Sequence, residues 1–330
     1  IALHDTPYYH CVARCVRRAW VWGKDDVSGK DYSHRKRWVI DRLRLLTGVF
    51  AVDICAYAIM SNHYHVVLRV NSDQAAQWSA TDVIRRWSQL FGLPGLVERF
   101  RSGQVTGQAE ADRALAIIGV WRNRLSDISW FMRCLNEHLA RLANAEDNCR
   151  GRFWEGRFQS QALLDDAGLL TAMMYVDLNP IRAGLATTPE QSAFTSVHAR
   201  LRQVAPARMP DPPTTQPSNG DPAPVTLLPF RQQGDDTAIP FYFSDYLQLL
   251  DWTGRAIRTD KRGHIPSDLP GILARLNIDP LVWKQAMLPQ GNRFGRAIGQ
   301  IDRLRQYAKR LGQSWVRGVR ISQQLYQATQ

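Results

Sequence analysis

The chain has 330 residues, 45% of them hydrophobic, which is enough for one large or two ordinary domains with buried cores. No apolar run approaches the roughly 18–20 residues that a membrane span needs, and the opening IALHDTPYYHCVARC holds no apolar signal segment, so membrane insertion and export are not expected and a cytoplasmic protein is. Lysine and arginine total 42 against 30 acidic residues, a formal charge of +12 that points to a polyanionic partner, nucleic acid above all.

The five cysteines, odd in number and without a CxxC pair, argue against a disulfide framework and against a common zinc module. In chain order, the alternating YYHCVARCV predicts a first strand. Ser33 then caps a helix through about Thr47, with Trp38, Leu43 and Leu46 on one side and Gly48 as the stop. VFAVDICAYAI and HYHVVLRV predict a hairpin turning at Met60-Ser61-Asn62, its second strand beginning at His63. SDQAAQWSATDVIRRWSQLF reads as one helix, 92–121 is ambiguous, and Ile128, Phe131, Leu135, Leu139 and Leu142 recur at helical spacing. RFWEGRFQSQALL predicts a strand. A helix from about Asp166 ends near Asn179, because Pro180 disfavours helical geometry in the residue before it.

This order of elements predicts an α+β domain over 1–203, an antiparallel sheet with helices on one face. Residues 204–229 hold eight of the seventeen prolines and read as an extended linker. The remaining 230–330 carries short helical patterns in DYLQLLDWTGRAI, SDLPGILARLNIDPLVWKQAM and FGRAIGQIDRLRQYAKRLG, which predict a small helical C-terminal unit. It is strongly basic: from 291 to 330 there are eight arginines and lysines against one acid, Asp302.

The chemistry concentrates in two segments. In YAIMSNHYHVVLRV, His63 and His65 stand two apart on a strand, so both imidazoles point to one face. In MMYVDLNPIRAGL, Tyr175 and Asn179 stand four apart, neighbours on one helix face. Two imidazoles and an amide would hold a divalent cation with open positions, and the cation would polarise a phosphodiester while the tyrosine oxygen attacks phosphorus. Zinc is the competing reading, although a structural zinc site is normally closed by four protein ligands.

AIMSNHYHVVL, GRFWEGRFQSQALL and YVDLNPIRAGL, in this order and spacing, resemble the REP-associated tyrosine transposases, a branch of the single-tyrosine HUH transposases, over roughly residues 7–200. The resemblance implies a ferredoxin-like sheet and a metal-dependent enzyme that cleaves and rejoins single-stranded DNA near repeat hairpins through a 5′-phosphotyrosine. Carried over by residue, His63, His65 and Asn179 bind Mg²⁺ or Mn²⁺ and Tyr175 is the nucleophile. The middle residue of the histidine pair is Tyr64, a mild departure from the family's hydrophobic position. Members act as monomers or homodimers.

Arg152, Arg157 and Arg182 flank the motifs and are candidate phosphate contacts. Arg35, Lys36 and Arg37 open the first helix and are candidate DNA contacts. Arg293, Arg296, Arg305, Lys309 and Arg310 belong to the basic C-terminal unit, a candidate clamp on DNA. For the first two groups the competing reading is a solvated basic face, and for the C-terminal unit it is a helical cap that packs on the catalytic domain and exposes its arginines to water. Phe153 and Trp154 read as core or interface residues more than as base-stacking platforms, and His34 and His138 as structural or surface residues. Two other functions fit the composition. One is a non-catalytic nucleic-acid-binding protein on the same fold, and the other an RNA-recognition module, against which stands the lack of an aromatic RNP1-like run.

Overall fold

The computed structural model describes residues 3–16, 29, 31–204, 225–232, 237–257 and 295–325. The helical pattern expected over SDLPGILARLNIDPLVWKQAM and most of the expected linker, 205–224, lie outside the described residues. The fold is α+β. β1 (Tyr8–Arg14) is followed by α1 (Arg35–Val49) and the hairpin of β2 (Val52–Ile59) and β3 (His63–Val70). Its turn closes where the Met60 N–H donates to the His63 carbonyl at 2.9 Å. β4 (Gln159–Leu163) comes after the central helices and β5 (Ala297–Ile298) near the end of the chain.

The strands lie in the order β2-β3-β1-β4-β5, antiparallel except that β5 runs parallel to β4. The order β2-β3-β1-β4, in which each helical crossover joins strands that flank a third, is the ferredoxin-like arrangement. The expected strand RFWEGRFQSQALL is regular only over Gln159–Leu163.

Between β3 and β4 the chain is helical. The expected single helix over 72–91 divides into α2 (Ser72–Gln77) and α3 (Ala80–Trp87). Ser79 starts the second with a capping box, its hydroxyl accepting from Asp82 N–H while the Asp82 carboxylate accepts from Ser79 N–H. The ambiguous 92–121 contains α4 (Gly95–Arg101) and most of α5 (Gln108–Leu125), and Trp121 of α5 stacks on Trp87 with centroids 4.9 Å apart. α6 (Ile128–Glu146) buries Ile128, Phe131, Leu135 and Leu139 of the predicted stripe, whereas Leu142 is exposed and Ala143 takes the buried position in its place.

The expectation of helices on one face holds for α1 and α6 and fails for the sheet as a whole. β3 sends Tyr64, Val66 and Leu68 into a core with Val39, Leu43 and Leu46 of α1 and Phe131 and Leu135 of α6. Its Val67 points the other way, against Leu170, Met173 and Met174 of α7 (Asp166–Asp177). The physical reason lies in the strand sequences: β2 is apolar on both faces and β3 adds Val67 to the second, so both faces must be covered. α7 is itself buried without a break from Ala167 to Met174, as befits a helix sandwiched between a sheet and further helices.

Those outer helices are α9 (Ser196–Val204) and α10 (Phe243–Ile257), the second from the C-terminal stretch. Asp177, at the end of α7, ties them together. Its carboxylate accepts from Ser196 Oγ at 2.5 Å, Val197 N–H at 3.1 Å and Tyr246 Oη at 2.6 Å. Burial raises the Asp177 carboxyl above its ordinary range while these donors oppose the shift. Tyr246→Phe removes one buried hydrogen bond to this group, so we expect a stability loss of about 1.5–3 kcal/mol, read as a lowered urea midpoint with an unchanged slope.

More of the C-terminal stretch enters the same sheet and core. The last five residues of the expected linker lie against β2: Leu228 N–H donates to the Ile54 carbonyl at 2.8 Å, and Val225 and Leu228 are buried. β5 is bound to β4 through Ala162 N–H to the Arg296 carbonyl at 2.8 Å and Leu164 N–H to the Ile298 carbonyl at 2.9 Å. Asp165 caps α7 at Gly168 N–H, 2.8 Å, and accepts from Gln300 N–H at 2.7 Å, just ahead of α11 (Ile301–Arg310). α12 (Val319–Leu325) packs on α11. Among the described residues no helix is long and apolar enough to cross a membrane.

Candidate active site

His63 and His65 project from β3 toward α7, because both belong to the face opposite Tyr64 and Val66. α7 brings Tyr175 over them, and α8 (Asn179–Arg182), which follows without a break in the chain, starts with Asn179. The four predicted residues therefore converge. The His63 and His65 rings are 4.9 Å apart by centroid, the His65 and Tyr175 rings 5.7 Å, and Asn179 Nδ2 lies 3.0 Å from His65 Nε2. His65 and Asn179 are buried, whereas His63 and Tyr175 are partly exposed, so the site has a closed wall and an open mouth.

A third imidazole completes the wall. His10, on β1, lies 2.9 Å from His65 Nδ1 through its Nε2, and its Nδ1 lies 2.8 Å from Gln161 Oε1 on β4. These contacts fix the tautomers. The Gln161 amide nitrogen donates to the Gly295 carbonyl at 2.5 Å, which leaves the amide oxygen facing His10. His10 must then carry its proton on Nδ1, its Nε2 accepts from His65 Nδ1–H, and the lone pair of His65 is left on Nε2, at the site. Asn62 does the same for His63: its Oδ1 stands 2.7 Å from His63 Nδ1 and leaves Nε2 with the free lone pair.

Burial keeps these rings neutral. It pushes His10 and His63 down to about 4, His63 with help from nearby Arg14, and holds His65 well below the ordinary histidine range, reinforced by His10, His63, Arg182 and Arg14. Neutral imidazole is the form that ligates metal. The donors fit a hard divalent cation. Two lone pairs have fixed tautomers, and a half-turn of the Asn179 amide replaces its N–H by an oxygen donor. Among the described residues no three His, Cys, Asp or Glu side chains could hold an ion on their own, since His10 spends its free lone pair on His65. Solvent or phosphate would have to complete the coordination.

Arg182, the last residue of α8, stacks its guanidinium 4.2 Å over the Tyr175 ring and sets a positive charge beside the phenol. No family model and no curated protein matches this chain. Among solved structures it is distantly similar to a REP-associated tyrosine transposase bound to a REP hairpin. The identity is 14%, over 66% of this chain and 93% of that one, with a TM-score of 0.34.

The structure brings His63, His65, Tyr175, Asn179 and Arg182 together and leaves the remaining candidates elsewhere. Arg35 is corrected: it is 1% exposed and its guanidinium is held by Glu146 and Asp147, so it cannot meet DNA. Lys36 is half-buried with its ammonium 5.5 Å over Phe194, and Arg37 pairs loosely with Asp41 at 3.7 Å. Arg152 is exposed in the loop before β4. Arg305 pairs with Asp302 at 3.3 Å, Arg310 pairs with Asp5, and Lys309 is exposed. Arg293 lies outside the described residues, and Arg157 and Arg296 line a cleft away from Tyr175. Sequence reading missed His10, Gln161 and Arg14. The signal was present: in YYHCVARCV the alternation places His10 and Arg14 on one face, but only the pairing of β1 with both β3 and β4 shows what that face meets.

Proposed function

We propose that the chain is a single-tyrosine, metal-dependent enzyme that cuts and rejoins single-stranded DNA beside repeat hairpins. What supports the reading is one observation: a half-exposed phenol stands 5.7 Å by ring centroid from His65, which neighbours His63, and Asn62 and the His10–Gln161 relay set the lone pair of each imidazole on Nε2. His63, His65 and Asn179 would hold Mg²⁺ or Mn²⁺, which when bound supplies a Lewis-acid charge at the phosphate oxygens.

Tyr175 Oη attacks phosphorus, the bond to the departing 3′ oxygen breaks, and a 5′-phosphotyrosine forms. The phenolic proton passes to solvent and the 3′ oxygen leaves as a hydroxyl. Arg182, its guanidinium over the Tyr175 ring, would face the incoming phosphate charge. The ester formed has the same order as the one broken, so a 3′ hydroxyl attacking the adduct restores a phosphodiester and frees the tyrosine. That reversibility suits strand transfer rather than hydrolysis.

The test is incubation of the full chain with labelled single-stranded hairpin DNA and Mn²⁺, followed by denaturing electrophoresis and peptide mapping. A covalent adduct on the Tyr175 peptide, absent with a chelator, is the expected result. Tight hairpin binding with no adduct under any divalent ion would instead establish a binding protein without catalysis.

A further inference from the structure

At the outer end of the sheet, between α6 and residues 311–317 of the loop that joins α11 to α12, lies a cleft of about 1540 Å³. It exceeds the roughly 300–1,000 Å³ of ordinary small-molecule sites. Its floor is β4, through Ser160 and Ala162. Arg133, Arg157, Arg296 and Arg317 line it, and no aspartate or glutamate does. Arg133 is engaged by Glu137, whereas Arg157 and Arg296 are exposed and have no carboxylate partner among the described residues.

The cleft also presents flat aromatic faces. Trp315 is 69% exposed, the most exposed large hydrophobic residue among those described, and Tyr307 lies half-buried nearby. The loop that carries Trp315 is anchored: Val316 is buried, and Gly295 packs against the backbone of Arg317 so closely that a Cβ would collide with it. A tryptophan held out to solvent on an anchored loop above a row of arginines has the chemistry of a platform for unpaired bases, with phosphates along the arginines. A duplex keeps its bases stacked on each other and offers Trp315 no face; an acidic peptide offers charges but no rings.

Resting on the DNA-processing reading above, we infer that this cleft holds an unpaired stretch of the DNA strand, stacked on Trp315 and neutralised by Arg157 and Arg296. Gln161 borders the cleft and is also the outermost side chain of the relay to His65, so a strand bound here lies along the same edge of the sheet that supports the site on its other face.

The test uses the full chain in chelator, where no cleavage occurs, with an oligothymidine of about 12 nucleotides and no hairpin. Affinity is measured against salt. Trp315→Ala should weaken binding about ten-fold with an unchanged salt slope, because stacking releases no counterions. Arg157→Gln with Arg296→Gln should instead lower the slope of log affinity on log salt by about 1.4, two contacts at roughly 0.7 each for a single strand. An iodouracil probe should cross-link to Trp315. Wild-type affinity and slope in both variants, with cross-links elsewhere, would remove the cleft from DNA binding even if Tyr175 still forms its adduct. A cross-link at Trp315 in a protein that never forms the adduct would keep the cleft and remove the catalytic reading.

Discussion

On the proposed function, Tyr175→Phe is expected to eliminate strand cleavage and the covalent adduct while hairpin affinity stays within about two-fold, since phosphate contacts dominate affinity and none is removed. The substitution is clean for a structural reason. Tyr175 is half-exposed, its ring serves as the platform under Arg182, and phenylalanine retains that ring. Only Oη disappears. Cleavage and denaturing electrophoresis on matched protein settle the point: an adduct of undiminished yield in the variant transfers the nucleophile's role to another residue.

The second large effect concerns the histidines. His65→Ala should abolish Mn²⁺ binding and cleavage together, because it deletes one of two imidazole donors and leaves His10 and Asn179 facing a void. The relay behind it should matter less but measurably. Gln161→Leu removes the acceptor that sets the His10 tautomer and is expected to weaken Mn²⁺ binding about 10- to 100-fold, whereas Gln161→Glu keeps an acceptor and should retain most of it. Titration of Mn²⁺ by electron paramagnetic resonance, without DNA, separates these outcomes from any effect on catalysis. Equal affinity in the leucine and glutamate variants would reduce the relay to packing.

Much of this site was legible before any coordinates. The pair His63 and His65 follows from strand periodicity and the pair Tyr175 and Asn179 from helical spacing, and both are local regularities. The walls of the site are not local. His10 and Gln161 matter only because β1 lies between β3 and β4, a fact of strand order that no window of sequence contains. Arg35 failed for a related reason: nothing near it in sequence reveals that Glu146 and Asp147, more than a hundred residues on, close around its guanidinium. The division of 72–91 into two helices was readable in retrospect, since Ser79 and Asp82 form a capping signature inside an otherwise helical pattern.

The placement of β5 bears on how the protein comes into being. It supplies the outer neighbour of β4, yet it begins at Ala297, long after β1 to β4 have been synthesised. Until then the nascent chain carries β4 as an open edge of the sheet, and until α10 has been made it exposes the apolar α7 as well, the kind of surface that recruits other chains. Such long-range pairing slows folding as well. Prematurely terminated products should therefore be lost to aggregation or proteolysis, so that synthesis of the last segment acts as a checkpoint on which chains survive with a complete sheet.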